Sequence, residues 1–122
     1  MPTVSRHIDA PPDAVWGVLV DTDAWPRWGP SVTGATVDGG GLTLGATGHV
    51  RTPVGVELPF TITEFEPGRR WAWSVAGVPA TAHAVEPDGP GCRASMSVPW
   101  WAPAYLLVCA IALQRIDKMA RA

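Results

Sequence analysis

Cysteine is scarce in this sequence and basic residues are not in excess, and both shortages exclude whole classes of protein. Only two of the 122 residues are cysteine, Cys92 and Cys109, too few and too far apart for a disulfide framework or a zinc cluster. Each lies in an apolar segment, so we expect both to be reduced, buried thiols. Lysine and arginine total 9 against 11 aspartate and glutamate, a net charge of -2, which leaves no positive excess for the phosphates of a nucleic acid partner.

Long apolar runs are missing as well. The longest, residues 105–113, is nine residues long, whereas a helix needs about 20 apolar residues to cross a bilayer, so stable membrane insertion is not expected. The N-terminal MPTVSRHID has neither a basic lead nor an apolar stretch of signal-peptide length, which predicts a cytoplasmic location. Since no linker-like tract or repeat interrupts the chain, residues 1–122 are predicted to form one domain.

Motifs for metals, cofactors and nucleophiles are also lacking. The three histidines, His7, His49 and His83, come singly, without His-x-His or His-x-x-x-His spacing, so no metal site is predicted. No serine elbow or Cys–His pair is present, and the Gly45–Gly48 segment lacks both the lysine and the strand-to-helix context of a phosphate-binding loop. We therefore expect no cofactor, and we regard hydrolase, kinase and nicotinamide-dependent activities as weak alternatives.

The clearest positive pattern lies at the N-terminal end. Residues 3–9 alternate between apolar and polar side chains, which is typical of a strand. A helix is predicted over residues 12–20, because proline suits the first turn of a helix. Residues 21–23 then offer caps for a short second helix that contains Trp25 and Trp28.

Six further strands are predicted after Pro30, where the apolar residues change to a period of two. Short turns rich in glycine, proline and aspartate separate them, which indicates an antiparallel meander. The predicted strands cover residues 31–37, 42–52, 54–65, 70–78, 80–86 and 92–98. The side chains assigned to the concave face of the sheet are Val54, Val56, Leu58, Phe60, Ile62, Trp71, Trp73, Val75, Thr81, His83, Val85, Ala94, Met96 and Val98.

A helix of about five turns is predicted from Ala102 to the end of the chain. Its first half is apolar nearly all round, so it needs cover on several sides, and a sheet that curls around the helix provides that cover. Tyr105, Cys109, Ala112 and Ile116 form one line down this helix. We place that line against a cavity between the helix and the sheet.

Four stretches of the chain follow one another in the order and spacing of a known superfamily. They are SRHIDAPPDAVWGVLVDTDAWPRWGP, FTITEFEPGRRWAWSV, HAVEPDGPGCRASMSV and the closing helix. With them the chain resembles the START/Bet v 1-like superfamily, in its bacterial polyketide cyclase/dehydrase and lipid-transport branch, over nearly its whole length. The resemblance implies an α+β helix-grip fold: a curved antiparallel sheet of about seven strands, wrapped around a long C-terminal helix, with two short helices after strand 1 and an apolar tunnel inside. Members include ligand carriers, aromatase/cyclases and proteins with no assigned activity, so the motifs specify fold better than function.

The tunnel is the predicted site, and its ligand is predicted to be an apolar or aromatic small molecule that is polyketide-, lipid- or isoprenoid-like. Seven of the ten aromatic residues are tryptophan, whose flat rings can stack on such a ligand. Core filling is the simpler role for Trp16, Trp25 and Trp28, and His83 fits a hydrogen-bonded core histidine as well as a ligand contact. The predicted lining residues are Phe60, Ile62, Trp73, His83, Met96, Trp100, Tyr105 and Cys109.

Two other functions stay open. In an enzyme, the same cavity would fold a reactive poly-carbonyl chain or assist a dehydration, with His83 or Tyr105 as the candidate catalytic residue. An interaction or membrane-surface protein would use residues 106–113 and the pair Trp100 and Trp101, and one side of the last helix would be left uncovered. One of these two tryptophans could gate the tunnel mouth or join a homodimer contact. Two polar groups within hydrogen-bonding reach of each other inside the cavity would favour the enzyme, and a lone histidine among apolar walls would favour binding only.

Overall fold

The computed structural model describes residues 1–122 and contains one sheet of seven strands and three α-helices. The strands are β1 (Thr3–Ile8), β2 (Gly34–Val37), β3 (Thr47–Arg51), β4 (Glu57–Glu66), β5 (Arg70–Val75), β6 (Val78–Asp88) and β7 (Gly91–Ser97). The helices are α1 (Pro12–Val20), α2 (Trp25–Trp28) and α3 (Leu106–Arg121), with a 3-10 turn at Pro103–Tyr105 before α3. No helix is both long enough and apolar enough to span a bilayer.

The sheet is antiparallel throughout, in the order β1-β7-β6-β5-β4-β3-β2. From β2 to β7 each strand pairs with the next one in the sequence, as the short turns predict, whereas β1 crosses to the far end and pairs with β7. Register shifts occur between Ile62 and Glu64 on β4 and between Ala72 and Ser74 on β5, and irregularities of this kind bend strands and increase twist. The predicted α+β helix-grip architecture is confirmed.

Indole side chains fix α2 against the end of α1. The Trp25 Nε1–H donates to the Leu19 carbonyl at 2.9 Å and the Trp28 Nε1–H to the Val18 carbonyl at 3.2 Å. These carbonyls lie in the last turn of α1, where they have no partner within the helix. The prediction that residues 21–23 cap α2 is wrong, because no side chain caps this helix.

Aromatic rings fill much of the core between α2 and the sheet. Trp25 stacks on Trp71 with ring centroids 5.2 Å apart and meets Phe60 at 5.6 Å. Trp25 and Trp71 are fully buried, while Trp16 is half-buried and packs edge-on against Phe65 at 5.8 Å. Removal of such rings from water is the largest apolar contribution that single residues make to stability.

Three strands, β2, β3 and β4, begin three to five residues later than predicted, and one predicted strand contains a hairpin turn. Val54 and Val56, assigned to the concave face, are exposed, Val54 by 83%. They belong to a turn in which the Thr52 N–H donates to the Val56 carbonyl at 2.9 Å. The alternating sequence pattern therefore begins before the strand β4 does. Likewise β3 begins at Thr47 and not at residue 42.

The hairpin between β5 and β6 turns at Ala76 and Gly77, inside the predicted strand 70–78. Both residues have positive φ, 52° and 80°, as a two-residue type I′ loop requires. Glycine accepts this backbone without strain, whereas an L side chain in the left-handed region costs about 1–2 kcal/mol. The turn was not predicted from the sequence, because its first loop position is alanine, where asparagine or glycine is typical.

Ala76→Asn is therefore expected to raise the free energy of unfolding by about 0.5–1 kcal/mol, because asparagine tolerates the left-handed region better than alanine. Urea unfolding with an unchanged slope would measure the gain. Gly77→Ala is the opposite change in the same loop and should destabilise the protein. A loss of stability in Ala76→Asn would contradict the loop geometry.

The C-terminal helix starts later than predicted and is covered on fewer sides. α3 begins at Leu106, after the 3-10 turn. Its buried line faces β1, β7, α1 and α2 and consists of Cys109, Ala112, Leu113, Ile116 and Asp117. Leu107 and Ile111, in the apolar first half, are exposed, so the expectation that the sheet covers this half on several sides is wrong.

A buried carboxylate joins the far end of α3 to β1. Asp117 Oδ2 accepts a hydrogen bond from Arg6 Nε at 2.7 Å, and Asp117 Oδ1 accepts one from Arg121 Nε. Burial alone would raise the pKa of Asp117, but these two hydrogen bonds and the arginine charges outweigh it and lower the pKa. The carboxylate therefore stays ionised at neutral pH and holds the helix to the first strand.

Candidate ligand-binding site

An apolar cavity of about 290 Å³ opens between the sheet and the segment that leads into α3. Eleven of its 16 lining residues are hydrophobic. Strands β3 to β6, the loop after α2 and the segment after β7 each contribute to the wall. The lining residues are Ser31, Val32, Val50, Thr52, Leu58, Trp73, Val75, Val78, Pro79, Ala80, Thr81, Val98, Pro99, Trp101, Ala102 and Tyr105.

A smaller cavity of about 50 Å³ adjoins the first one. The two share Ser31, Val32, Trp73, Thr81 and Tyr105 as walls. The remaining walls of the smaller cavity are Trp25, Trp28, Gly29, Pro30, Trp71, His83, Met96, Val108, Cys109 and Ala112. Residues of α3 and His83 line only the smaller cavity, whereas the larger one is bounded by the segment that precedes α3.

The structure brings five of the eight predicted lining residues to these cavities. Trp73 and Tyr105 line both, while His83, Met96 and Cys109 line the smaller one only. Cys109 is buried, and burial raises the pKa of its thiol to about 11, so it stays an uncharged apolar wall. Cys92 is also a free, buried thiol.

Phe60, Ile62 and Trp100 line neither cavity. Phe60 and Ile62 lie on the concave face but are packed into the core. Phe60 covers Gly48 so closely that a Cβ on Gly48 would lie 2.7 Å from the Phe60 ring, and no room is left for a ligand there. Trp100 is largely exposed, and its neighbour Trp101 lines the cavity instead.

A chain of hydrogen bonds runs along the wall that the two cavities share. The Trp73 Nε1–H lies 3.0 Å from Thr81 Oγ1, which lies 3.0 Å from His83 Nε2. The Trp71 carbonyl can only accept, so His83 Nδ1 donates to it and Nε2 of the neutral ring is an acceptor. Thr81 Oγ1 therefore accepts from Trp73 and donates its own proton to His83 Nε2. His83 Nδ1, 3.4 Å from the Trp71 carbonyl, is then the nitrogen that carries the proton. Both imidazole nitrogens are therefore occupied by the protein.

Burial keeps His83 neutral. The side chain is 2% exposed, and its ring stacks on Trp71 with centroids 3.9 Å apart. Burial lowers the pKa of His83 to about 3, with a further lowering by the charge of Arg70, and the hydrogen bond to the Trp71 carbonyl opposes the shift only in part. At neutral pH the imidazole is a fixed, uncharged element of the wall.

Tyr105 supplies the other polar group of the cavities. Its hydroxyl lies 2.6 Å from Ser31 Oγ, so one hydrogen bond connects the 3-10 turn to the loop after α2. Both residues line both cavities, and either oxygen retains a lone pair for a ligand. The pair is the polar group best placed to orient a bound molecule.

Sequence reasoning chose Trp100 and not its neighbour Trp101 as a lining residue, and it missed Thr81 and Ser31. Thr81 shares the inward phase of His83, so its hydroxyl could have been chosen from the pattern. Trp101 and Ser31 lie in irregular segments, where no periodicity indicates the direction of a side chain. No group of three or more histidine, cysteine, aspartate or glutamate side chains is arranged to hold a metal ion.

Comparison with known proteins gives the same fold and identifies the family. Among solved structures, protein MLL2253 from Mesorhizobium loti has a TM-score of 0.74 at 13% identity, with 98% of this chain and 95% of that chain covered. Protein NE0264 from Nitrosomonas europaea has a TM-score of 0.71 at 16% identity, with 98% and 92% covered. An AHSA1-like protein from Aeromonas hydrophila has a TM-score of 0.69 at 18% identity, with 98% and 90% covered. No curated protein sequence matches the chain.

These likenesses bear on the fold alone, because the identities are low. The sequence model of one family, polyketide cyclase / dehydrase and lipid transport, matches residues 3–117. That match covers every strand and the first 12 of the 16 residues of α3. The chain therefore belongs to the polyketide cyclase/dehydrase and lipid transport family, within the START/Bet v 1-like superfamily that its sequence resembles.

Proposed function

We propose that this protein binds a small apolar or aromatic molecule in the cavity between the sheet and the start of α3. The observation that carries the proposal is the cavity itself, with about 290 Å³ of space behind mainly hydrophobic walls. A concave, mainly apolar cleft with a few polar groups is the usual form of a small-molecule site. Burial of an apolar ligand gains about 25 cal/mol per Å².

The size of the cavity narrows the ligand class. Ligand pockets commonly hold about 300–1,000 Å³, and this one lies at the lower limit. A bicyclic aromatic, a short isoprenoid or a medium-length acyl chain suits that space better than a long polyketide or a sterol does. The hydroxyls of Ser31 and Tyr105 would orient a polar end of such a ligand.

The enzymatic alternative has weaker support from the polar groups. Two of them, Thr81 and His83, do meet within hydrogen-bonding reach, which taken alone would favour catalysis. However, Thr81 donates to the one imidazole lone pair, and the pKa of about 3 leaves His83 with little basicity. We therefore favour binding over cyclase or dehydratase chemistry, and we keep the cytoplasmic location and the lack of a nucleic acid partner as predictions.

The first test is native mass spectrometry of the purified protein, followed by denaturing extraction of anything bound. Titration calorimetry with 1-naphthol, geraniol and decanoate then samples the aromatic, isoprenoid and acyl classes. We expect at least one class to bind. Trp73→Ala should weaken that binding about tenfold, because the ring forms a wall of both cavities.

Trp16→Ala is the matched control. Trp16 is also half-buried and also contacts another aromatic ring, but it lines neither cavity. It should lose stability and retain ligand affinity. Val75→Trp, which fills the larger cavity, should abolish binding in a folded protein. Binding that survives Val75→Trp, or failure of all three probes together with an empty purified protein, would overturn the proposal.

A further inference from the structure

The outer face of α3 carries one continuous stripe of exposed side chains that changes from apolar to basic. Its members are Leu107, Ile111, Gln114, Arg115 and Lys118, called the α3 stripe below. Residues four, seven, eight and eleven positions apart fall on one side of a helix of 3.6 residues per turn. The opposite side of α3 is the buried line that faces the sheet. We propose that the α3 stripe, with Trp100 and Trp101 beside it, docks this protein on the surface of an anionic lipid bilayer.

The apolar half of this surface is unusually open to water. Trp100 is 80% exposed, Trp101 55%, Leu107 75% and Ile111 45%. The two tryptophans precede the 3-10 turn at Pro103–Tyr105, which leads directly into α3, so all four side chains lie within the stretch of chain from residue 100 to residue 111. Tryptophan favours the boundary between water and lipid, because its ring is apolar and its N–H is polar.

The basic half of the stripe has no partner within the protein. Arg115 and Lys118 are exposed and take part in no salt bridge or side-chain hydrogen bond. They lie one and two turns beyond Ile111, within about 11 Å of it along the axis. Both can therefore reach anionic headgroups while Leu107 and Ile111 enter the boundary between the headgroups and the acyl chains, as in an interfacial amphipathic helix.

The charge distribution of the chain supports a negatively charged partner. Residues 100–122 contain three basic side chains and a single acidic one, Asp117, although the whole chain has a net charge of -2. Asp117 is buried and already paired with Arg6 and Arg121. No other side-chain carboxylate lies in this segment to repel anionic lipid.

A second copy of this chain fits the stripe less well than a bilayer does. A parallel pair of α3 stripes would bring Arg115 and Lys118 of both copies together, and like charges repel at such distances. An antiparallel pair would set Leu107 and Ile111 against those cations. Neither arrangement provides a carboxylate for them, whereas an anionic bilayer provides phosphate groups at its surface and hydrocarbon just below it.

Docking in this orientation would also place the cavity next to the lipid. Trp101 and Tyr105 line the larger cavity and lie in the same segment as the docking surface. Membrane association does not depend on ligand binding, however, because Trp100, Leu107, Arg115 and Lys118 line neither cavity. The two proposals can therefore fail separately.

Vesicle co-sedimentation tests the proposal with the full chain. We expect the protein to sediment with vesicles of phosphatidylcholine mixed with phosphatidylglycerol, and much less with phosphatidylcholine alone. The double variant Arg115→Gln/Lys118→Gln should weaken binding to the anionic vesicles at least about tenfold, and added salt should weaken wild-type binding. Trp100→Ser/Leu107→Ser should weaken it to a similar degree, with the fold retained by circular dichroism.

Arg69→Gln/Arg93→Gln is the control of equal charge. These two arginines line a separate depression to which no α3 residue contributes, so binding should change little. No sedimentation with anionic vesicles, or an equal loss in the control and in Arg115→Gln/Lys118→Gln, would overturn the proposal. A protein that is dimeric by light scattering, and monomeric after Leu107→Ser, would also overturn it, since the stripe would then be a contact between two copies.

Discussion

Trp25→Ala is expected to lower the free energy of unfolding by about 3–5 kcal/mol. The Trp25 ring is 1% exposed and touches Phe60, Trp71 and Trp73, with centroids 5.2 to 5.6 Å away. Alanine would leave a cavity among these rings, which the rigid sheet cannot close completely. It would also leave the Leu19 carbonyl without its indole donor. Urea or thermal unfolding measures the loss.

Trp100→Ala is the matched control for this prediction. It removes the same ring from a site that is largely exposed and lines no cavity, so a change within about 0.5 kcal/mol is expected. Trp25→Phe separates packing from hydrogen bonding, since phenylalanine keeps part of the ring contact and loses the donor. Equal losses in Trp25→Ala and Trp100→Ala would show that Trp25 is not the centre of this core.

Acid should destabilise this protein through His83 well above the pH at which carboxylates titrate. The unfolded chain binds a proton at His83 near pH 6.5, whereas the folded protein does so only near pH 3. The unfolded state therefore binds more protons between these limits. The stability associated with the neutral imidazole is complete above pH 6.5 and is lost as the pH falls toward 3, at up to about 1.4 kcal/mol per pH unit.

Comparison with His83→Gln isolates this effect. Glutamine does not titrate but retains a donor and an acceptor for the hydrogen-bonded wall, so the variant should show a flatter decline in stability between pH 6.5 and 4. In the wild type, the His83 ring resonances should not shift over that range. His7 should titrate above 6.5 in the same spectra, because hydrogen bonds to Asp88 and Asp9 raise its pKa. Parallel stability curves for wild type and His83→Gln would refute the prediction.

Much of the fold followed from local patterns. The first helix was predicted with its observed bounds, since proline and the change of hydrophobic period both lie at its start. All seven strands and the antiparallel order of β2 to β7 followed from alternation and short turns, whereas the pairing of β1 with β7 did not. The hairpin at Ala76 and the exposed Val54 and Val56 did not, because a turn without its usual residues cannot be told from a strand by periodicity alone.

The candidate site was predictable only where it lies on regular strands. Trp73 and His83 follow from the inward phase of β5 and β6, but that phase also contains Phe60 and Ile62, which pack into the core. A period of two gives the direction of a side chain and not the depth of the space in front of it. Trp101 and Ser31 depend on how irregular segments cross the end of the sheet, which is a property of the tertiary structure.

The pairing of the first strand with the last has a consequence for how this chain folds. Thr3 hydrogen-bonds to Ser97, 94 residues later, and Arg6 pairs with Asp117, 111 residues later. During synthesis on the ribosome, β1 therefore cannot pair with β7 until most of the chain has been made. Contacts between such distant residues slow folding, because the entropy of closing the loop is lost before the contacts stabilise the chain. We expect the meander from β2 to β7 to assemble first and β1 to complete the sheet together with α3.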